Sequence, residues 1–150
     1  MPQALSSILV HLVFSTKNRE RFIVPEIESE LHKYLAGTLK ELKSPSLAIG
    51  GAEDHVHLLF ALSRTITVAD LVEALKTSSS KWIKTKGSQF RQFHWQSGYG
   101  AFSIGQSSVM ALKQYVLTQK EHHKTKSFQD EFKSLCERYG VDIDERYVWD

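Results

Sequence analysis

The stretch Glu53–Phe60, EDHVHLLF, sets two histidines one residue apart at the head of an apolar run. In an extended strand residues i and i+2 point to one face, roughly 6.5–7 Å apart, so His55 and His57 can converge on one ion. Val56, Leu58, Phe60 and Leu62 then form the opposite, wholly apolar face. A divalent ion needs at least one more ligand, and the candidates are His11, His32, His94, His122, His123, carboxylates and amides. A single cysteine, Cys136, and the lack of a His-Glu-x-x-His pattern argue against a structural zinc site and a zinc protease. What remains is an open site completed by oxygen ligands, suited to Mg²⁺ or Mn²⁺ acting on a phosphate as a Lewis acid. Coordination requires neutral imidazoles, so metal binding is expected to weaken below about pH 6.5.

A second pair lies in KQYVLTQ, where Tyr115 and Gln119 are four apart and share a helical face. A surface tyrosine usually only packs, and a free phenol, with a pKa near 10, is a poor nucleophile unaided. Tyr99 is a rival, but it stands between Gly98 and Gly100 with no helix to fix its hydroxyl. Asp54 or Glu53 can orient the histidine rings, although a carboxylate beside a turn commonly serves the turn alone. His11 shares a strand face with Leu9 and Val13, which fits either a core histidine or one that approaches the pair.

The elements that must position these groups read as follows. Ser6–Ser15 is a continuous β-rich run, as in a strand buried on both faces. Pro25 opens a helix in which Ile27, Leu31, Tyr34, Leu35, Leu39 and Leu42 recur at three and four. SLAIGG and DHVHLLFAL read as a hairpin turning through Gly50-Gly51 to Asp54. Thr67 with Asp70 caps a second helix running to about Lys84. Phe93–Ile104 is a loop entering a short last strand, Ser107 or Ser108 starts a third helix through Lys120, and Ser127 with Asp130 caps a fourth through about Tyr139. This β-α-β-β-α-β order predicts an α+β domain: a ferredoxin-like (RRM-like) antiparallel sheet with helices packed on one face, plus C-terminal helices carrying Tyr115.

With 150 residues and a net charge of +2, a single domain over residues 1–150 is expected, and its charge alone does not announce a nucleic-acid binder. The basic residues are clustered, however. Lys17, Arg19 and Arg21 share one loop, and Lys81 and Lys84 lie near Phe93, His94, Trp95 and Tyr99, whose rings could stack on unpaired bases. No apolar run approaches the roughly 20 residues of a membrane helix, and no charged-then-apolar leader precedes Ser6, so a cytoplasmic, membrane-free location is expected.

In order, HLVFSTKNR, DHVHLL, SSSKWI, WQSGYGAFSI and YVLTQKEHH resemble the small HUH transposases of bacterial and archaeal insertion sequences, the single-tyrosine TnpA type. The resemblance implies that His55 and His57 are the HUH histidines, Tyr115 the nucleophile and Gln119 the third metal ligand. It further implies Mg²⁺ or Mn²⁺ dependence and cutting of single-stranded DNA beside hairpins through a 5′-phosphotyrosine. The implied assembly is a homodimer with shared active sites, for which Gly98, Gly100 and Gly105 would let the tyrosine helix swing. Lys17, Arg19, Arg21, Lys81, Lys84 and Trp95 are the expected DNA contacts. Two alternatives keep the fold: a non-catalytic nucleic-acid-binding protein, and a metal-dependent phosphodiesterase that uses water as its nucleophile.

Overall fold

The structure is a computed structural model that describes residues 2–150. Four strands, β1 (Leu9–Ser15), β2 (Ser46–Ala52), β3 (His55–Ala61) and β4 (Gly100–Ile104), form an antiparallel sheet in the order β2-β3-β1-β4. Every residue of the central strand β1 is buried, as its unbroken apolar run requires. Pairing begins at Leu9, where β1 meets both Ala61 and Ile104, so the strand is shorter than Ser6–Ser15. Gly50 and Gly51 belong to β2, opposite His57 and Val56, and the turn is only Glu53–Asp54. The glycines are there for close approach rather than for turning. A Cβ on Gly50 would strike the Val116 carbonyl, and one on Gly51 would strike the His55 carbonyl.

Helices α1 (Pro25–Glu41) and α2 (Val68–Lys84) cover one face of the sheet. Leu31, Leu35, Leu71, Leu75 and Ile83 meet Leu12, Phe14, Val56, Leu58 and Phe60 in one continuous core. Each such side chain contributes about 1.5–3 kcal/mol by leaving water. The Thr67 hydroxyl accepts from the Asp70 amide at 3.1 Å, as the capping spacing requires.

The opposite face carries α3 (Val109–Leu117), α4 (Gln119–His122) and α5 (Phe128–Arg138), so both faces are covered. The single third helix expected through Lys120 is interrupted at Thr118 (φ −110°, ψ 27°), whose hydroxyl donates to the Gln114 carbonyl at 2.8 Å. A threonine that bonds back to its own turn competes with the helical ladder, and the chain restarts at Gln119. The Ser127 hydroxyl accepts from the Asp130 amide at 3.2 Å and starts α5 as its spacing predicted. Beyond α5 the chain folds back: the Asp150 carbonyl accepts from the Ser97 and Gly98 amides, and Trp149 packs on Phe128 and Phe132.

Candidate functional site

His55 and His57 point from β3 toward α3–α5, and both are fully buried. Each ring is fixed through Nδ1. The Asp54 carboxylate lies 2.7 Å from Nδ1 of His55, and Nε2 of His11 lies 2.8 Å from Nδ1 of His57. Asp54 therefore orients a ring in addition to sitting in the turn, and His11, on the neighbouring strand, backs the second histidine. Both were open readings from the sequence.

The two Nε2 atoms face groups supplied by the C-terminal helices. Gln119 Oε1 is 3.0 Å from His55, and Glu131 Oε1 is 3.1 Å from His57 and 3.5 Å from His55. The Tyr115 hydroxyl donates to the other oxygen of Glu131. Tyr115 and Gln119 thus reach the site despite the break at Thr118, and they meet the histidines of their own chain. The resemblance had implied the partner's. Tyr99 lines a separate cavity with Phe102 and Phe132.

Glu131 is the residue that sequence reasoning missed. It sits in α5, 16 residues beyond Tyr115, and is 2 % exposed. The only hint is its place in the first turn of an otherwise amphipathic helix, where an acid ordinarily serves the helix dipole. His123, named only as one histidine among several, reaches both Glu131 Oε1 at 2.9 Å and Gln119 Oε1 at 3.0 Å. His122 bonds Thr118 instead, and His94 is exposed.

Burial dominates the electrostatics. It pulls His57 to about 4 and His11 to about 3, so both are neutral at pH 7. Burial alone would raise Glu131, but hydrogen bonds from His123 and His57 outweigh it and hold the carboxyl below its usual range. Burial opposes charge on His123 as well, and there Glu131 prevails and raises the pKa. Tyr115 is pushed up by burial and then by the neighbouring Glu131 carboxylate.

The donor chemistry fits a cation. With Asp54 accepting, His55 carries its hydrogen on Nδ1, and in the neutral ring Nε2 is a bare lone pair. That lone pair faces two oxygens, Gln119 Oε1 and Glu131 Oε1, an arrangement that is repulsive without a positive charge between them. One donor atom from each of His55, His57 and Glu131 lies within 4.8 Å of the others. A divalent ion held there would be a Lewis acid beside a tyrosine hydroxyl.

A cleft of about 560 Å³ opens next to this cluster, lined by Arg19, Arg21, Lys120 and Lys126 together with His123 and Asp54. Arg19 and its neighbour Asn18 adopt positive φ (55° and 57°), a conformation that a non-glycine residue holds only when its surroundings impose it. Lys17 is exposed on the same loop. Lys81 and Lys84 are exposed on α2, behind the sheet, and are not among the residues lining the cleft. The expectation that Trp95 stacks on bases is corrected. The residue is 8 % exposed, and its ring lies edge-on to Phe14 and Phe93 and donates its indole N–H to Ser79 at 2.9 Å. Phe93 is likewise core.

The fold is that of solved transposases. A candidate transposase from Deinococcus radiodurans R1 is 22% identical, with a TM-score of 0.62, over 77% of this chain and 95% of that one. A REP-associated tyrosine transposase bound to a REP hairpin is 10% identical, with a TM-score of 0.56, over 77% and 68%. No curated protein sequence matches the chain. Residues 4–119 match the family described as "Transposase IS200 like", and the chain belongs to that family.

Proposed function

We propose that this protein is a single-tyrosine HUH transposase that cuts and rejoins single-stranded DNA in the cytoplasm. The observation that carries the reading is Tyr115 hydrogen-bonded to Glu131, which also touches both histidines of a sheet-mounted pair. In this reading Tyr115 is the nucleophile, and His55 and His57, with Gln119 and Glu131, hold Mg²⁺ or Mn²⁺. The Tyr115 oxygen forms a bond to phosphorus, the bond to the 3′-oxygen breaks, and that oxygen leaves as a 3′-OH after taking up a proton. Glu131 Oε2 is placed to receive the phenolic proton. The product is a 5′-phosphotyrosine that another 3′-OH can attack, so strands rejoin without ATP. Because burial and Glu131 raise the Tyr115 pKa, the phenol is not ionised in advance. The bound ion would supply charge stabilisation at the phosphate and offset the carboxylate.

Arg19, Arg21, Lys120 and Lys126 line the cleft that would take the DNA backbone, with Lys17 beside it. Lys81 and Lys84 would serve only a strand that reaches the back of the sheet. Hairpin recognition is extended to this chain from the solved relative bound to a REP hairpin. The homodimer belongs to the same reading: exchanging the tyrosine segment between two chains would form, between copies, the contacts that one chain makes here, as domain swapping does.

The test is covalent capture. Protein, Mn²⁺ and a hairpin with a single-stranded flank should give a protein–DNA adduct that survives denaturation, whereas the same sequence as perfect duplex should give much less. Cleavage without an adduct would favour the water-using phosphodiesterase, and binding without cleavage the non-catalytic binder.

A further inference from the structure

We propose that Arg19 and Trp149 form a clamp for one unpaired base of single-stranded DNA, with the indole beneath the base and the guanidinium above it. The inference rests on the DNA reading above. It adds a place where the strand is held by a base rather than by its phosphates.

Placement is the first ground. The family match ends at residue 119, so Trp149 belongs to the part of this chain beyond it. Its two neighbours are anchored through their carbonyls. Val148 accepts from Gln96 Nε2 at 3.4 Å, and Asp150 accepts from the Ser97 amide at 2.5 Å and the Gly98 amide at 3.2 Å. The indole lies against Phe128, with ring centroids 6.5 Å apart, and Phe128 in turn lies 4.8 Å from the His55 ring. Phe128 and Arg19 both line the basic cleft. A base held on Trp149 is therefore one aromatic ring removed from the histidine pair. The other tryptophans are spent elsewhere: Trp95 is core, and Trp82 stacks on Tyr34 at 4.9 Å behind the sheet.

Spacing is the second ground. Arg19 Cζ stands 6.0 Å over the centre of the Trp149 ring. Flat groups in contact are about 3.5 Å apart, so a guanidinium resting on the indole would be much nearer, and a base between the two needs about 7 Å. The gap is too wide for direct contact and only slightly narrower than a sandwich, a difference that rotation within the arginine side chain supplies. The third ground is unused bonding capacity. Among the described residues the Arg19 guanidinium forms no ion pair, and the Trp149 indole N–H finds no acceptor. A base offers both a π face for the cation and acceptors at its edge.

The loop that carries Arg19 is set in advance. Asn18 and Arg19 hold their positive φ while the Thr16 hydroxyl donates to the Glu20 carbonyl at 2.6 Å and the Arg19 amide to the Thr16 carbonyl at 3.0 Å. The guanidinium thus faces the indole before a strand arrives, which lowers the ordering cost of binding. Arg21, Lys120 and Lys126 remain for the phosphates.

The probe is a DNA hairpin with a single-stranded oligodeoxyadenylate flank, bound in EDTA so that no strand is cut. In wild-type protein an abasic nucleotide walked along the flank should weaken binding about fivefold or more at one position and little at the others. The intact flank should quench tryptophan fluorescence, and the quench should be missing from Trp149→Phe, which keeps a ring against Phe128. Arg19→Lys keeps the charge and loses the plane. It should bind the intact flank about fivefold more weakly than wild type, yet match wild type on the flank with the critical base removed. A uniform response to abasic positions, a full quench in Trp149→Phe, or wild-type affinity of Arg19→Lys for the intact flank would each overturn the clamp and leave the DNA reading standing. No binding of the flanked hairpin by wild-type protein would remove the DNA reading and the clamp with it.

Discussion

The Val116 carbonyl of α3 lies directly over the Cα of Gly50 in β2, so close that a Cβ there would overlap it. Gly50 pairs with His57 across the sheet, and Val116 follows Tyr115, so this one contact sets how near the tyrosine comes to the histidine pair. The overlapped Val116 atoms, O and C, are backbone, which cannot rotate out of the way as a side chain would. Gly50→Ala should therefore lift α3 from the sheet, destabilise the protein by about 1–3 kcal/mol and lower adduct formation by more than the loss of folded protein explains. Gly37→Ala is the control, since nothing lies within 4 Å of a Cβ there. Equal behaviour of the two in denaturant titration and adduct assays would count against this role.

Tyr115→Phe should retain hairpin binding and metal binding but form no covalent adduct. Tyr99→Phe should form one at near wild-type yield, because Tyr99 lines a different cavity. Mass spectrometry of the adduct should place the DNA on Tyr115. An adduct from Tyr115→Phe would remove it as the nucleophile.

Chelation should abolish cleavage, and Mn²⁺ should restore it. His57→Ala should lose cleavage at least 100-fold while keeping most of the DNA affinity, because in this reading the affinity would come from phosphate contacts in the basic cleft. Undiminished cleavage in EDTA would exclude the metal-assisted route.

The buried histidines also make stability depend on pH. Unfolded histidines titrate near 6.5, whereas burial holds His57 at about 4 and His11 at about 3 in the fold. Between about pH 4 and 6.5 these two histidines bind more protons in the unfolded chain than in the folded one. Stability therefore rises with pH across that window and is lost as pH falls through it. Urea midpoints of metal-free protein at pH 7, 5.5 and 4.5 should drop in that order. His11→Phe should flatten the profile, and an equally steep profile in that variant would assign the effect to other groups.

Mixing His57→Ala and Tyr115→Phe proteins under subunit exchange tests the shared-site dimer. With the tyrosine segment exchanged, one site of each mixed dimer has both histidines from the second protein and Tyr115 from the first. Adduct should then reappear, and only on the His57→Ala chain. No adduct would mean that each chain works with the contacts seen within it here.

The sequence by itself determined most local decisions, but not where β1 begins or that the third helix breaks at Thr118. Period-two and period-three-to-four patterns assign strands and helices, Thr67 and Ser127 cap where their spacing says, and His55 and His57 must share a face because a strand alternates. Helical spacing of four put Tyr115 and Gln119 on one face, and both reach the site although the chain breaks between them at Thr118. What tertiary structure alone decided are contacts between segments that no local period links. Glu131 enters the site because α5 crosses the face that holds the histidines, and its position in α5 reads like any acidic first turn. Trp95 looked like a stacking platform beside lysines, but packing against Phe14, Phe93 and Ser79 turns its ring inward. Gly50 and Gly51 read as a turn because glycine's lack of a Cβ serves turns and close approaches alike, and only the docking of α3 shows which one Gly50 serves.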